Sequence, residues 1–203
     1  MEYVNPKAKV VIVGITPGES QMKSSRDGKS KMDIKRENAF AGGMRKQLVE
    51  MLDAIGVNRL LNIKTCDTLW SDDFDKVQMT SLLRDATYYR GKMYRGKPSI
   101  FGTPILQKSL ADGFVKHDCR KCSNAKLYVA LGPKVKEVLD RLKAEGKFSA
   151  PIVTIPHASG SNRGRVAVFL GQRSPKGLDN SYQHADEMRR IAKKTMSSLL
   201  TVK

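Results

Sequence analysis

At 203 residues the chain is long enough for one domain with a sizeable core. Its 37 lysines and arginines against 20 aspartates and glutamates leave a formal charge of +17, which attracts polyanions, nucleic acid first and an anionic membrane surface second. No apolar run is long enough to span a membrane, no signal-peptide pattern opens the sequence, and three cysteines make no disulfide framework. The expectation is a cytoplasmic protein with no membrane partner.

Val10 to Val13 are β-branched and apolar, as in a strand buried on both faces. They run into the turn Gly14-Ile15-Thr16-Pro17-Gly18, where glycine permits close approach of a ligand. A polar loop from Glu19 to Glu37 follows. Its Asp27-Gly28-Lys29-Ser30 resembles the tail of a phosphate-binding loop, but Lys23 stands where that motif needs glycine, which excludes a nucleoside triphosphatase of that type.

Helical spacing of Phe40, Met44, Leu48, Met51, Leu52 and Ile55 predicts a helix from Asn38 to Ile55, ended by Gly56. Phe40, in its first turn, is either core or a ring presented to a ligand. Arg59 to Thr65 reads as a second strand, with Asn62 either a satisfied core amide or a recognition group and Asp67 and Trp70 just beyond it. Helical pieces are expected near Lys76–Arg84 and Ile105–Phe114. Between them, Tyr88, Tyr89 and Tyr94 interleave with Arg90, Lys92, Arg95 and Lys97, a composition suited to stacking on bases while meeting phosphates. His117, Cys119 and Cys122, with the distant Cys66, are the residues that could hold a metal; free thiols are the expectation, with no metal and no cofactor.

Lys126 to Leu131 reads as a third strand ending at Gly132, Lys134 to Glu145 as a helix with Pro133 at its start, and Ile152 to Ile155 as a fourth strand. That strand opens into Pro156-His157-Ala158-Ser159-Gly160-Ser161-Asn162-Arg163. Residues 165–170 read as a further strand, and Ser181 to Leu200 as an amphipathic helix. Strands alternating with helices predict an α/β fold, a mostly parallel central sheet with helices on both faces. Parallel strands would then gather Gly14–Gly18, Asn62–Asp67, Gly132 and His157–Arg163 along one sheet edge, where such folds bind ligands. No Gly-x-Gly-x-x-Gly follows the first strand, so a dinucleotide is not expected.

Taken together, these residues resemble the uracil-DNA glycosylase superfamily. Gly14-Ile15-Thr16-Pro17-Gly18 is similar to its first turn, Phe40-Ala41-Gly42-Gly43-Met44-Arg45 to its phenylalanine before a Gly-x-x-Arg helix, and Asn62-Ile63-Lys64-Thr65-Cys66 to its Asn-x-x-Lys-Cys pattern. Leu131-Gly132 matches a strand end, and His157-Ala158-Ser159 stands for its His-Pro-Ser loop. The resemblance spans most of the chain outside about 70–115. It implies a three-layer sandwich and one glycosylase-like domain over residues 1–203, with a basic and aromatic insertion at about 70–118.

The resemblance also implies roles. An everted base would stack on Phe40, be read by Asn62 and rest against Gly14 and Ile15, while His157 donates to the departing base. Ser159, Ser161 and Arg163 would grip phosphates, and Tyr88, Arg90, Lys92 and Arg95 would add DNA contacts. The chain departs from the family at Ile15 and Thr16, where an acid or amide usually holds the attacking water; Glu19 or Asp67 is expected to take that role, with Thr16 offering only a hydroxyl. Iron–sulfur members use four cysteines, and three are present. The resulting expectation is a monomeric, monofunctional DNA glycosylase acting on uracil or another modified pyrimidine, in repair or in defence against phage carrying hypermodified cytosine. The alternatives are a non-catalytic DNA-binding protein on the same fold, or an RNA- or nucleotide-binding module.

Overall fold

The Val10–Gly14 strand, β1, is fully buried along its length because sheet neighbours flank it and a core covers each face. A computed structural model describes residues 3–18 and 30–201. In chain order, β1 is followed by helices α1 (Lys31–Asn38), α2 (Gly43–Ile55) and α3 (Val57–Leu61), then strand β2 (Val77–Ser81). A short hairpin follows, β3 (Tyr88–Tyr89) and β4 (Lys92–Met93). Helix α4 (Pro104–Leu110) runs without a break into a π-helical segment (Ala111–Cys119). After it come β5 (Leu127–Leu131), α5 (Pro133–Ala144), β6 (Ile152–Ile155), α6 (Arg163–Leu170) and α7 (Asn180–Thr201).

The central sheet is four-stranded and wholly parallel, in the order β2-β1-β5-β6. Side chains alternate across it. Val10, Ile12, Leu127, Val129, Val153 and Ile155 meet α2, α3, α6 and α7 on one face. Val11, Val13, Tyr128 and Ala130 meet α5 and the π-helical segment on the other. The fold is therefore α/β, a parallel sheet between two helical layers, as expected. No helix among the described residues is long and apolar enough to cross a membrane.

Four expected elements differ. Arg59–Thr65 is not a strand: Gly56, in the left-handed region at φ 89°, ends α2 and lets α3 begin at once, and a short apolar run does not by itself separate strand from buried helix. The sheet position goes instead to β2, expected as helix, whose Gln78, Thr80 and Ser81 mask a buried strand in the sequence. Part of the expected insertion at about 70–118 is thus central sheet. Residues 165–170 are helical within α6, which packs on α7 because Gly164 leaves room for the Tyr182 ring: a Cβ there would meet it at 2.8 Å. The helix expected from Asn38 begins at Gly43, and the turn before it becomes part of the site.

β2 is an edge strand, and a buried polar network ties it to the π-helical segment on one face of the sheet. Asp118 is wholly buried on the π-helical segment. Gln78 Nε2 donates to its Oδ1 (2.9 Å) and Arg84 Nε to its Oδ2 (3.1 Å). Asn5 N in turn donates to Gln78 Oε1 (2.9 Å). Removing one partner of such a pair strands a buried charge, at a cost of ~3–5 kcal/mol. Asp118→Ala is expected to lower unfolding stability in urea by about that amount; an unchanged midpoint would show that Arg84 and Gln78 find other partners.

Candidate functional site

Because the four strands run one way, their carboxyl ends meet at one edge, where a cavity of about 730 Å³ opens. Its walls come from Gly14, Ile15 and Thr16 after β1, Thr80 and Ser81 at the end of β2, and Met93, Tyr94 and Arg95 of the hairpin. Gly132, Pro133 and Lys134 at the start of α5, and His157, Ser159, Ser161 and Asn162 after β6, complete the far side, with Phe40 and Arg165. The size suits a nucleotide-scale ligand. Among the described lining residues Arg95, Lys134 and Arg165 are charged, and none is a carboxylate. A smaller cavity of about 430 Å³, mostly apolar, adjoins it beside β6 and α7 and shares His157, Asn162 and Arg165.

Phe40 enters this cavity from a strained backbone, at φ 55°. A bulky aromatic residue rarely adopts the left-handed region, and the conformation persists only where surroundings impose it. Here Trp70 Nε1 donates to the Ala39 carbonyl (2.8 Å), and Arg45 Nη2 donates to the carbonyls of Arg36 (2.9 Å) and Glu37 (2.8 Å). The Arg45 guanidinium also lies 5.1 Å from the Trp70 ring centroid. Burial lowers the Arg45 pKa from its ordinary value, and the charge of Asp67 pulls it back.

His157 is solvent-exposed toward the cavity. Burial of the group first, then the charge of Arg95, lowers its pKa below the usual histidine value. The shift favours the neutral imidazole, which has one N–H to donate. The loop behind it is organised by its own side chains: Asn162 Nδ2 donates to Ser159 Oγ (3.0 Å), which lies 3.1 Å from Ser161 Oγ.

Gly14, Ile15, Thr16, Phe40, Arg95, His157, Ser159 and Ser161 thus share one cavity, and other expected residues do not. Asn62 is exposed at the end of α3, because its segment is helix and turn and not the strand that would have carried it to the edge. Ser81, level with Gly14 in the sheet, supplies the polar side chain there. Asp67 is exposed in a 3₁₀ turn outside the cavity, as a counter-charge to Arg45. Thr16 Oγ1 donates to the Asp85 carbonyl and accepts from Thr87 N, both at 2.9 Å, so it fastens the following turn and its single proton is committed. Glu19 lies outside the described residues. Arg163 starts α6 outside the cavity, and Arg165, one residue past Gly164, lines it instead. Tyr88, Arg90 and Lys92 stand on the hairpin outside it.

Cys66 belongs to the core on one side of the sheet, and Cys119 and Cys122 to the core on the other. Burial, then Asp118, pushes both Cys119 and Cys122 up to about 12, and burial also raises Cys66. No group of three or more His, Cys, Asp or Glu able to hold a metal, His117 included, occurs among the described residues.

The chain is similar to the uncharacterized protein YoxB of Bacillus subtilis (strain 168), 29% identical over 183 residues that cover 83% of this chain and 71% of YoxB. No protein-family model and no solved structure matches it.

Two causes depress the His157 pKa, and one of them is removable. Nuclear magnetic resonance titration of the imidazole is expected to give a midpoint below the ordinary ~6.5, and Arg95→Ala to shift it upward. A midpoint unmoved by that substitution would separate Arg95 from the imidazole.

Proposed function

We propose that this protein is a DNA glycosylase that everts one nucleotide into the strand-end cavity and hydrolyses its N-glycosidic bond. The observation that carries the reading is that a strained aromatic ring, Phe40, and the His157 imidazole line one cavity whose described charges are all positive. Phe40 stacks on the everted base, and the Ser81 hydroxyl donates to or accepts from its edge. As the bond from sugar C1′ to the base nitrogen breaks, its electron pair leaves with the base. His157 donates its N–H to the base oxygen that gathers that charge, and Arg95 adds a positive field. Water adds to C1′ and its proton passes, through solvent, to the departed base anion, leaving the neutral base and an abasic site. Ser159, Ser161 and Arg165 face the flanking phosphates. A cytoplasmic monomer acting on chromosomal or invading DNA accords with this chemistry.

One observation favours a second reading. No carboxylate stands among the described residues lining the larger cavity, and Asp67 lies outside it, so the group that usually holds the attacking water is not met there. A binder that everts a base and leaves the bond intact would need none.

The test is abasic-site formation, read by alkaline strand scission, on oligonucleotides carrying uracil, a mismatched thymine or a hypermodified cytosine. Scission of one of them with parental protein supports the enzyme; tight binding without scission supports the binder. Removing one oxyanion-type donor costs about a hundredfold in rate. His157→Ala is therefore expected to lower single-turnover excision by about that factor, with DNA affinity within a few-fold of the parent. A variant that cuts at the parental rate removes His157 from the mechanism. Glu19→Gln under the same conditions decides whether that carboxylate holds the water.

Affinity for DNA is expected to fall by orders of magnitude between low and moderate salt, because contacts by a +17 chain release counterions. A flat salt dependence, measured by fluorescence anisotropy, would remove nucleic acid as the ligand.

A further inference from the structure

The smaller cavity, beside β6, is lined by polar groups that no other described residue satisfies. β6 is the far edge strand of the sheet. Tyr128 N donates to the Pro151 carbonyl and Gly132 N to the Ile155 carbonyl, each at 2.9 Å. In a parallel ladder with these bonds, the main chains of Val153 and Ile155 face β5, and those of Ile152 and Thr154 face outward. Ile152 and Thr154 line the smaller cavity. Among the described residues no group hydrogen-bonds to their outward N–H or C=O. Thr154 is 6% exposed, and its hydroxyl is likewise buried without a partner. Buried main-chain and hydroxyl groups are nearly always paired, because an unmade bond forfeits the hydration the group had in the unfolded chain.

The surroundings set the kind of ligand. At about 430 Å³ the cavity falls in the range of small-molecule sites, and its walls are mostly apolar. Pro133 of α5 stands on one side, and Ala185, Met188 and Ile191, along one face of α7, on the other. Its charged lining residues, Lys136, Arg165 and Glu187, are of both signs, and Lys136 is paired with Asp140. A neutral body suits it, where the larger cavity is all cationic. The Ile152 carbonyl and the Thr154 N–H stand side by side on the edge as acceptor and donor. A flat heterocycle or cyclic amide with an N–H next to a ring nitrogen or carbonyl answers both at once, while its faces meet the apolar walls. A peptide strand finds too little edge: Pro151 and Pro156 lack N–H donors and leave two residues free between them.

We infer that the smaller cavity is a second ligand site, which takes a free, neutral nucleobase or a like heterocycle on the outer edge of β6. The Ile152 carbonyl accepts from the ligand and the Thr154 N–H donates to it. The Thr154 hydroxyl, turned about χ1 to exchange places with its methyl group, makes a third bond. This place is distinct from the one that Phe40 and Ser81 line, although His157, Asn162 and Arg165 belong to both cavities. The ligand has two sources: a base released in the larger cavity, if that cavity cuts as proposed, or a base arriving from solution. The site itself does not rest on the glycosidic chemistry.

The experiment titrates the full chain, labelled with ¹⁵N, with uracil, adenine and 1,3-dimethyluracil. The amide signals of Ile152 and Thr154 report the smaller cavity, and those of Phe40 and Ser81 the larger. Uracil or adenine is expected to move the Ile152 and Thr154 signals to saturation and to slow hydrogen exchange at Thr154 N. 1,3-Dimethyluracil has the same flat ring but no N–H, and is expected to bind about tenfold more weakly. Thr154→Val is expected to weaken uracil or adenine by about threefold to tenfold. Its unfolding midpoint is expected not to fall, because the hydroxyl has no partner in the free protein. Ile152 and Thr154 signals unmoved by both bases overturn the site. So does 1,3-dimethyluracil binding as tightly as uracil, or parental affinity in Thr154→Val. Shifts confined to Phe40 and Ser81 overturn the second site and leave the base-everting reading standing. Shifts at Ile152 and Thr154 in a protein that cuts none of the oligonucleotides uphold the site and count against the glycosylase. Where the site is upheld, tighter binding of uracil points to a released base, and tighter binding of adenine to a base from solution.

Discussion

The parallel direction of the four central strands is the constraint on which the site depends. Gly14 pairs in register with Ser81, and Leu131 with Ile155, so every strand delivers its following loop to the same edge. That edge is also where helix α5 begins, through Gly132 at φ 96°. A side chain at that angle would be strained even though a Cβ would meet nothing within 4 Å. The Gly14 and Ile15 carbonyls accept from Leu82 N and Leu83 N, at 3.0 and 2.9 Å, which extends the β1–β2 pairing beyond the sheet proper and stiffens the cavity wall. A ligand at this edge therefore meets groups held by sheet hydrogen bonds.

The exception is Phe40, which is presented by a turn and needs its own support. A left-handed backbone at a bulky residue costs about 1–3 kcal/mol. The Trp70 indole and the Arg45 guanidinium bind three consecutive-region carbonyls, of Ala39, Arg36 and Glu37. Hydrogen bonds of this kind contribute roughly 0.5–1.5 kcal/mol each, more where the donor is charged, so together they offset the strain. Asp67, expected as a catalytic group, has its place in this support as the charge facing Arg45. It acts on the turn that carries Phe40 and does not face the cavity.

The sequence made the fold class legible because β1, β5 and β6 are short apolar runs bounded by glycine and proline, and α5 and α7 have clear helical periodicity. His157, Phe40 and the Gly14–Thr16 turn were legible for a related reason: each stands where an apolar segment gives way to small or flexible residues. β2 was not. Its Gln78 is buried by a hydrogen bond to Asp118, 40 residues away, and no local pattern reveals such a partner. Losing β2 displaced the polar edge group from Ser81 to Asn62, since Leu60, Leu61 and Ile63 imitate a strand. Thr16, expected to offer only a hydroxyl, is at the cavity with its proton committed to the Asp85 carbonyl and one lone pair to Thr87 N.

The charge of the cavity bears on how a glycosidic bond could break in it. The transition state divides charge, with the sugar becoming cationic and the base anionic. A lining of Arg95, Lys134 and Arg165 without a described carboxylate favours the anionic half and opposes the cationic half. If the site acts as proposed, stabilisation of the sugar would have to come from elsewhere, and the phosphates on either side of an everted nucleotide, anions close to C1′, would supply it. The same cations that draw those phosphates in would position them. On this account the large net positive charge would serve both encounter and reaction, while the depressed pKa of His157 comes first from burial and then from Arg95. An imidazole held toward its neutral form would donate its hydrogen bond without adding a charge that further opposes the sugar.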